Sequence, residues 1–249
     1  MADTVNFTGM DGEAAGRYRP FLEGLLQSRK DGIHSIHVTG SAVSGGYDPG
    51  RSDVNSVIVL HEMDLGFLEA LAPLGKKYGR KKVSPPLIMT PQYVRESLDV
   101  FPIEFLNLHH IHRTVYGEDM FADLQVKSPD LRLQCERDLK AKLIGLRQGY
   151  LASAGNARIL NEDFSMAISG YMPLFRAIVF LKSGEFPIRP EEVIARLGEV
   201  SGVDTGVYAR VFKKKLEHAR LPIGELNRLF EEYYLATESL GAVVDEIQA

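Results

Sequence analysis

A chain of 249 residues with 45% hydrophobic and 25% charged residues has the length and mix of a soluble globular protein, able to bury a core without disulfide or metal staples. The net charge of −4 excludes a general attraction to nucleic acid, and the single cysteine, Cys135, excludes an intrachain disulfide. No run of consecutive apolar residues has the length of a signal peptide core or a membrane span, so a cytoplasmic protein with no membrane partner is expected.

The first half of the chain alternates strand and helix patterns. Glu13 to Ser28 repeats apolar residues at helical spacing (Tyr18, Phe21, Leu22, Leu25), and Gly32 stops it. Ile33 to Thr39 reads as a strand, and Asn55 to Leu60 as a short β-branched strand buried in a sheet. Leu65 to Tyr78 is a second helix containing Pro73. Val83 to Met89 is a third strand, confined to a sheet edge by Pro85 and Pro86, and Thr90-Pro91 starts a helix. Phe101 to Leu106 reads as a fourth strand, with Glu104 on the face opposite Ile103 and Phe105.

From Ser128 the pattern is helical throughout: Ser128 to about Ser153, Asn161 to Lys182, Pro190 to Leu197, Thr205 to Ala219, and Ile223 to Ile247. The expected fold is therefore α+β, with a small mixed-sheet domain over residues 1–126 and an all-α helical bundle over residues 127–249.

The segment richest in chemistry joins the first two strands. Gly40 lacks a β-carbon and lets the backbone approach a ligand, Ser41 offers a hydroxyl and an amide, and such a turn can bind phosphate. Asp53 and Asn55 lie two apart at the start of the next strand and so share a side; as oxygen donors at that spacing they can hold one hard cation such as Mg²⁺. Glu104, if its strand lies beside that of Asp53, completes the cluster. His109, His110 and His112 cannot all face one point and read as a polar segment after a strand, while His34 and His37 read as structural. Lys76, Lys77, Arg80, Lys81 and Lys82 form a basic cluster that is either a solvated face or a phosphate contact.

The order Gly40-Ser41, Ser52-Asp53, an apolar strand and a later carboxylate resembles the signature of the DNA polymerase β-like nucleotidyltransferase superfamily, which includes aminoglycoside nucleotidyltransferases and small prokaryotic members. Arg113 to Asp119 and a following helical domain are also similar to small-substrate members. The resemblance implies transfer of a nucleoside monophosphate from an NTP to a small-molecule or protein acceptor. It implies Gly40, Ser41 and Ser52 at the nucleotide, Asp53, Asn55 and Glu104 at Mg²⁺, and Asp53 and Glu104 as the catalytic carboxylates. Asn55 stands where the pattern has its second carboxylate, so three readings stay open: an enzyme with a weakened metal site, a degenerate nucleotide-binding or protein-interaction module without turnover, or a structural protein that keeps the fold but no ligand. The helical half could wall an acceptor or form a homodimer.

Overall fold

The computed structural model describes residues 5–248. It is α+β, with a four-stranded mixed sheet and ten α-helices among the described residues, and its contacts divide into two units. The first unit comprises the chain up to Leu98 together with Phe105–Gln125; the second comprises Asp99–Glu104 and the chain from Val126 onward.

In the first unit, helix α1 (Gly12–Arg29) begins at Asp11, whose carboxylate accepts from the amides of Glu13 and Ala14, two of the donors a helix start leaves unpaired. Strand β1 (Ile33–Thr39) follows, then the four-residue helix α2 (Ser41–Ser44), strand β2 (Asn55–Leu60), helix α3 (Leu65–Gly79), strand β3 (Leu87–Met89), helix α4 (Pro91–Glu96), helix α5 (Pro102–His110), whose first three residues belong to the second unit, and strand β4 (His112–Gly117). The sheet order is β3-β2-β1-β4; β1 runs antiparallel to both β2 and β4, and β3 runs parallel to β2 at the edge. Alternation along the strands separates the two faces. Ile36, Val38, Ile58, Leu60 and Val115 enter one core with Tyr18, Phe21 and Leu22 of α1. The Tyr78 hydroxyl of α3 donates to the Pro20 carbonyl of α1 at 3.0 Å, and its ring meets Phe21 edge-on.

Three expectations are corrected. The third strand shrinks to Leu87–Met89 because the Pro85-Pro86 pair interrupts it; Val83 keeps only an isolated bridge to Val54. The Phe101 to Leu106 strand is instead the first part of α5. Pro102 sits in the first turn, where its missing N–H costs nothing, and the Ile103 amide donates to Gln134 Oε1 at 2.8 Å. The sheet's fourth strand is β4, formed by the segment that reads as polar in sequence.

The second unit holds helices α6 (Ser128–Ser153), α7 (Ala157–Ser183), α8 (Pro190–Ser201), α9 (Gly206–Glu217) and α10 (Ile223–Asp245). Pro129 and Pro190 open their helices at positions that need no N–H, and Gly184 and Gly202 close theirs in left-handed geometry. Cys135 is buried on α6. Tyr171, Phe175, Tyr208 and Tyr233 form an aromatic centre, with the Tyr208 and Thr237 hydroxyls 3.0 Å apart. Consecutive apolar residues understate α7. By length and composition it also matches a membrane span, yet Phe164, Ile168, Phe175 and Ile178 are buried and α6, α8, α9 and α10 pack on it, as for the core helix of a bundle.

Gly117 ends β4 at φ 75°, and a β-carbon there would lie 2.1 Å from the His34 carbonyl oxygen and 2.8 Å from Ser35 Cα. Gly117→Ala is expected to cost about 2 kcal/mol or more, from strain and backbone overlap together. A lowered urea midpoint with unchanged helical content checks it, and an unchanged midpoint would contradict the β1–β4 register.

Candidate functional site

The end of β1 is shaped by Gly40. Its backbone, φ 72° and ψ −148°, lies in a region open essentially to glycine alone. The chain turns there into α2, where the Val43 and Ser44 amides both donate to the Gly40 carbonyl at 3.1 Å. Asp11, the cap of α1, donates its own amide to the Ala42 carbonyl at 2.9 Å, fixing the turn against the start of that helix. Ser41 is half-buried and its hydroxyl has no protein partner among the described residues.

Across the β1–β2 ladder, Asn55 pairs with Thr39. Its side-chain nitrogen lies 3.5 Å from where a Gly40 β-carbon would stand, so the missing side chain leaves the Asn55 amide bare toward the turn. Thr39 itself is engaged, its hydroxyl donating to the Ile111 carbonyl at 2.6 Å. Asp53 precedes the strand, exposed, and among the described residues its carboxylate makes no hydrogen bond or ion pair. Gly40, Ser41, Asp53 and Asn55 thus gather at one end of the β1–β2 pair.

Ser52 has work within the loop. Its hydroxyl oxygen accepts from the Asp48 amide at 3.0 Å, while its own amide donates to the Asp48 carbonyl at 2.7 Å. The Asp48 carboxylate accepts from the Gly50 amide at 2.8 Å, which makes Asp48-Pro49-Gly50 a side-chain-stabilised turn. Arg17 of α1 reaches the Pro49 carbonyl at 2.9 Å. Lys82 holds the other side: its ammonium donates to the Gly50 carbonyl, and its carbonyl accepts from the Val54 amide at 2.8 Å. Part of the basic cluster therefore clasps the loop that carries Asp53. Sequence reasoning missed this, because the pairing spans 32 residues.

Glu104 does not lie on a strand. It sits in the first turn of α5, within the second unit, and its carboxylate accepts from Gln134 Nε2 at 2.8 Å. A shared sheet was the reason for grouping it with Asp53, and that reason does not hold. Strand β3, which does lie beside β2, carries Leu87, Ile88 and Met89 and no carboxylate.

On the same face of β1 as Thr39 lies a buried polar network. His37 is fully buried, one ring nitrogen 2.8 Å from Ser35 Oγ and the other 2.9 Å from Thr114 Oγ1. His112 lies 2.6 Å from the Leu108 carbonyl oxygen and 2.9 Å from Asp119 Oδ1. Ligating atoms of His37, His112 and Asp119 come within 4.8 Å of one another, as a metal site requires, but every one of those ring nitrogens is engaged by a protein partner. The arrangement is a satisfied hydrogen-bond network under the sheet, consistent with a structural His37. Asp119 carried no spacing signal, since its link to His112 depends on a strand that the sequence pattern hides.

Burial, helped by His112, pushes the His37 ring down from 6.5 to about 3. Burial alone would raise the Asp119 carboxyl, but His112, the Phe121 amide and His37 together outweigh it and hold it below the usual range. Unfolded, His37 takes a proton below about pH 6.5 and folded it does not until far lower, so the unfolded state binds more protons in that window. Stability is expected to fall with pH there by up to about 1.4 kcal/mol per unit, and Asp119 acts in the same direction at lower pH. Urea midpoints at pH 7.5 and pH 5 check this: the drop is expected to be smaller in His37→Asn, and an equal drop in both proteins would contradict it.

No protein-family model and no curated protein matches the chain. Among solved structures it is similar to spectinomycin adenyltransferase AAD(9) from Enterococcus faecialis, determined with ATP and spectinomycin. The TM-score is 0.56 at 16% sequence identity, and the similarity covers 94% of this chain and 99% of that one. The chain therefore has the fold of a nucleotidyltransferase, a small mixed-sheet α/β unit with an all-helical unit.

Proposed function

We propose that the first unit binds a nucleoside triphosphate at the end of the β1–β2 pair and that the protein transfers the nucleoside monophosphate to a small-molecule acceptor. The observation that carries this reading is the glycine-only backbone at Gly40, which bares a turn toward Asn55, two residues after the exposed Asp53. Ser41 and the amides at the start of α2 donate to phosphate oxygens, and Gly40 gives the phosphates room to approach. Support for the acceptor class comes from the similar adenyltransferase, whose structure pairs ATP with a small molecule.

One Mg²⁺ fits the donors present, with the Asp53 carboxylate and the Asn55 amide oxygen on one side of the second strand's entry and phosphate oxygens and water completing the shell. When bound, such an ion offsets phosphate charge and favours attack at the transferred phosphorus. Two divalent ions do not fit a donor set carrying a single negative charge. That shortfall favours a second reading, a module that binds nucleotide without turnover, and Asn55 is the residue on which the two readings divide.

Calorimetry of the full chain with ATP, GTP, CTP and UTP, with and without Mg²⁺, tests the proposal. Metal-dependent binding of at least one nucleotide is expected, with Asp53→Ala weakening it about tenfold or more. Binding that ignores both Mg²⁺ and Asp53, or no binding by a folded protein, overturns it. Asn55→Asp is expected to raise Mg²⁺ affinity about tenfold; a gain in transfer along with it supports the enzyme, and a gain in metal affinity without transfer supports the module.

A further inference from the structure

We propose that the second unit carries a ligand site of its own, a cavity between α6, α7 and α10 that takes a small lipophilic amine. This inference stands independently of nucleotide binding in the first unit. The cavity measures about 460 Å³, the volume of a small-molecule pocket. It exists because side chains are missing along its floor. Gly145 and Gly149 lie one turn apart on α6, Gly170 and Ala167 face them from α7, and a β-carbon added at Gly145 would meet nothing within 4 Å. Tyr150, Phe164 and Phe230 supply aromatic walls, with the Tyr150 and Phe230 rings 4.5 Å apart between centroids.

Two charged side chains line this apolar space, and they are provided for unequally. The Lys142 ammonium lies 4.5 Å from the centre of the Tyr171 ring, at the Gly170 end, so an aromatic face already meets its charge. Asp163 lies at the other end, its Oδ2 atom 3.7 Å from the β-carbon position of Gly149. It is half-buried and has no hydrogen bond or ion pair among the described residues. Lys142 cannot serve it, because residues 142 and 149 are about 10 Å apart along α6. A carboxylate without a counter-charge beside aromatic rings is complementary to an organic cation, whose charge pairs with the acid and whose body covers the rings. An anionic ligand of the same size would face Asp163 unfavourably, and Lys142, the only cation lining the cavity among the described residues, is already seated on Tyr171.

Two phenyl-bearing probes of similar size and opposite charge, 2-phenylethylamine and 3-phenylpropionate, test the site by saturation-transfer NMR titration of the full chain at pH 7.5. The amine is expected to bind at least about tenfold more tightly than the acid, and Asp163→Asn is expected to erase that preference. Gly145→Leu, at a position where an added β-carbon meets nothing within 4 Å, is expected to fill the open floor and abolish binding of the amine while the urea midpoint holds. Equal binding of the two probes, no binding of the amine, or a preference that survives in Asp163→Asn overturns the proposal. Should Asp163→Asn lower the urea midpoint, undiminished amine binding in a folded Gly145→Leu protein overturns it by itself.

Discussion

Strand β1 is hydrogen-bonded along both edges, to β2 on one side and β4 on the other, and that double pairing fixes the organisation of the first unit. A strand held on both sides cannot slip by one residue without exchanging its faces. Ile36 and Val38 must therefore lie under α1, and Ser35, His37 and Thr39 must lie on the opposite face. The Ser35–His37–Thr114 and His112–Asp119 hydrogen bonds make the polar face as specific as the apolar one, since a slip would bury those groups unpaired. Thr39 ends the strand opposite Asn55, and only then does Gly40 turn away. The position of the candidate phosphate turn is thus set by the register of the sheet beneath it.

The loop between β1 and β2 is held just as firmly from outside. Arg17 and Lys82 bind the carbonyls of Pro49 and Gly50 from opposite sides of the sequence, and Ser52 closes the loop on Asp48. Asp53 is left as the carboxylate in this stretch without a partner, directly after the clasp. An exposed acid alone means little, but the backbone that carries this one is held at the entry of a buried strand by the clasped loop before it. In the His37 network, by contrast, both ring nitrogens of His37 and of His112 are already engaged by protein partners.

Much of this was legible in sequence because the signals were local. Pro129, Pro190 and Gly184 punctuate helices of the second unit within a residue or two of their ends, and the Gly40-Ser41 to Asp53 segment announces a turn between two buried strands. What escaped depended on distant partners. Phe101 to Leu106 looks like a strand until Gln134 is seen supplying the Ile103 amide and the Glu104 carboxylate. His112 to Gly117 looks like a polar connection until His112 and Thr114 are seen bonded beneath the sheet. In both cases a tertiary hydrogen bond overrides the local pattern, and the first of them removes the shared-sheet argument that grouped Glu104 with Asp53.

Everything proposed for the first unit depends on where a nucleotide sits. Hydrogen–deuterium exchange of the full chain with ATP and Mg²⁺ reads this directly. The account predicts slowed exchange across residues 39–57, seen only when both ATP and Mg²⁺ are present. Unchanged exchange there, or protection confined to other segments, would contradict it.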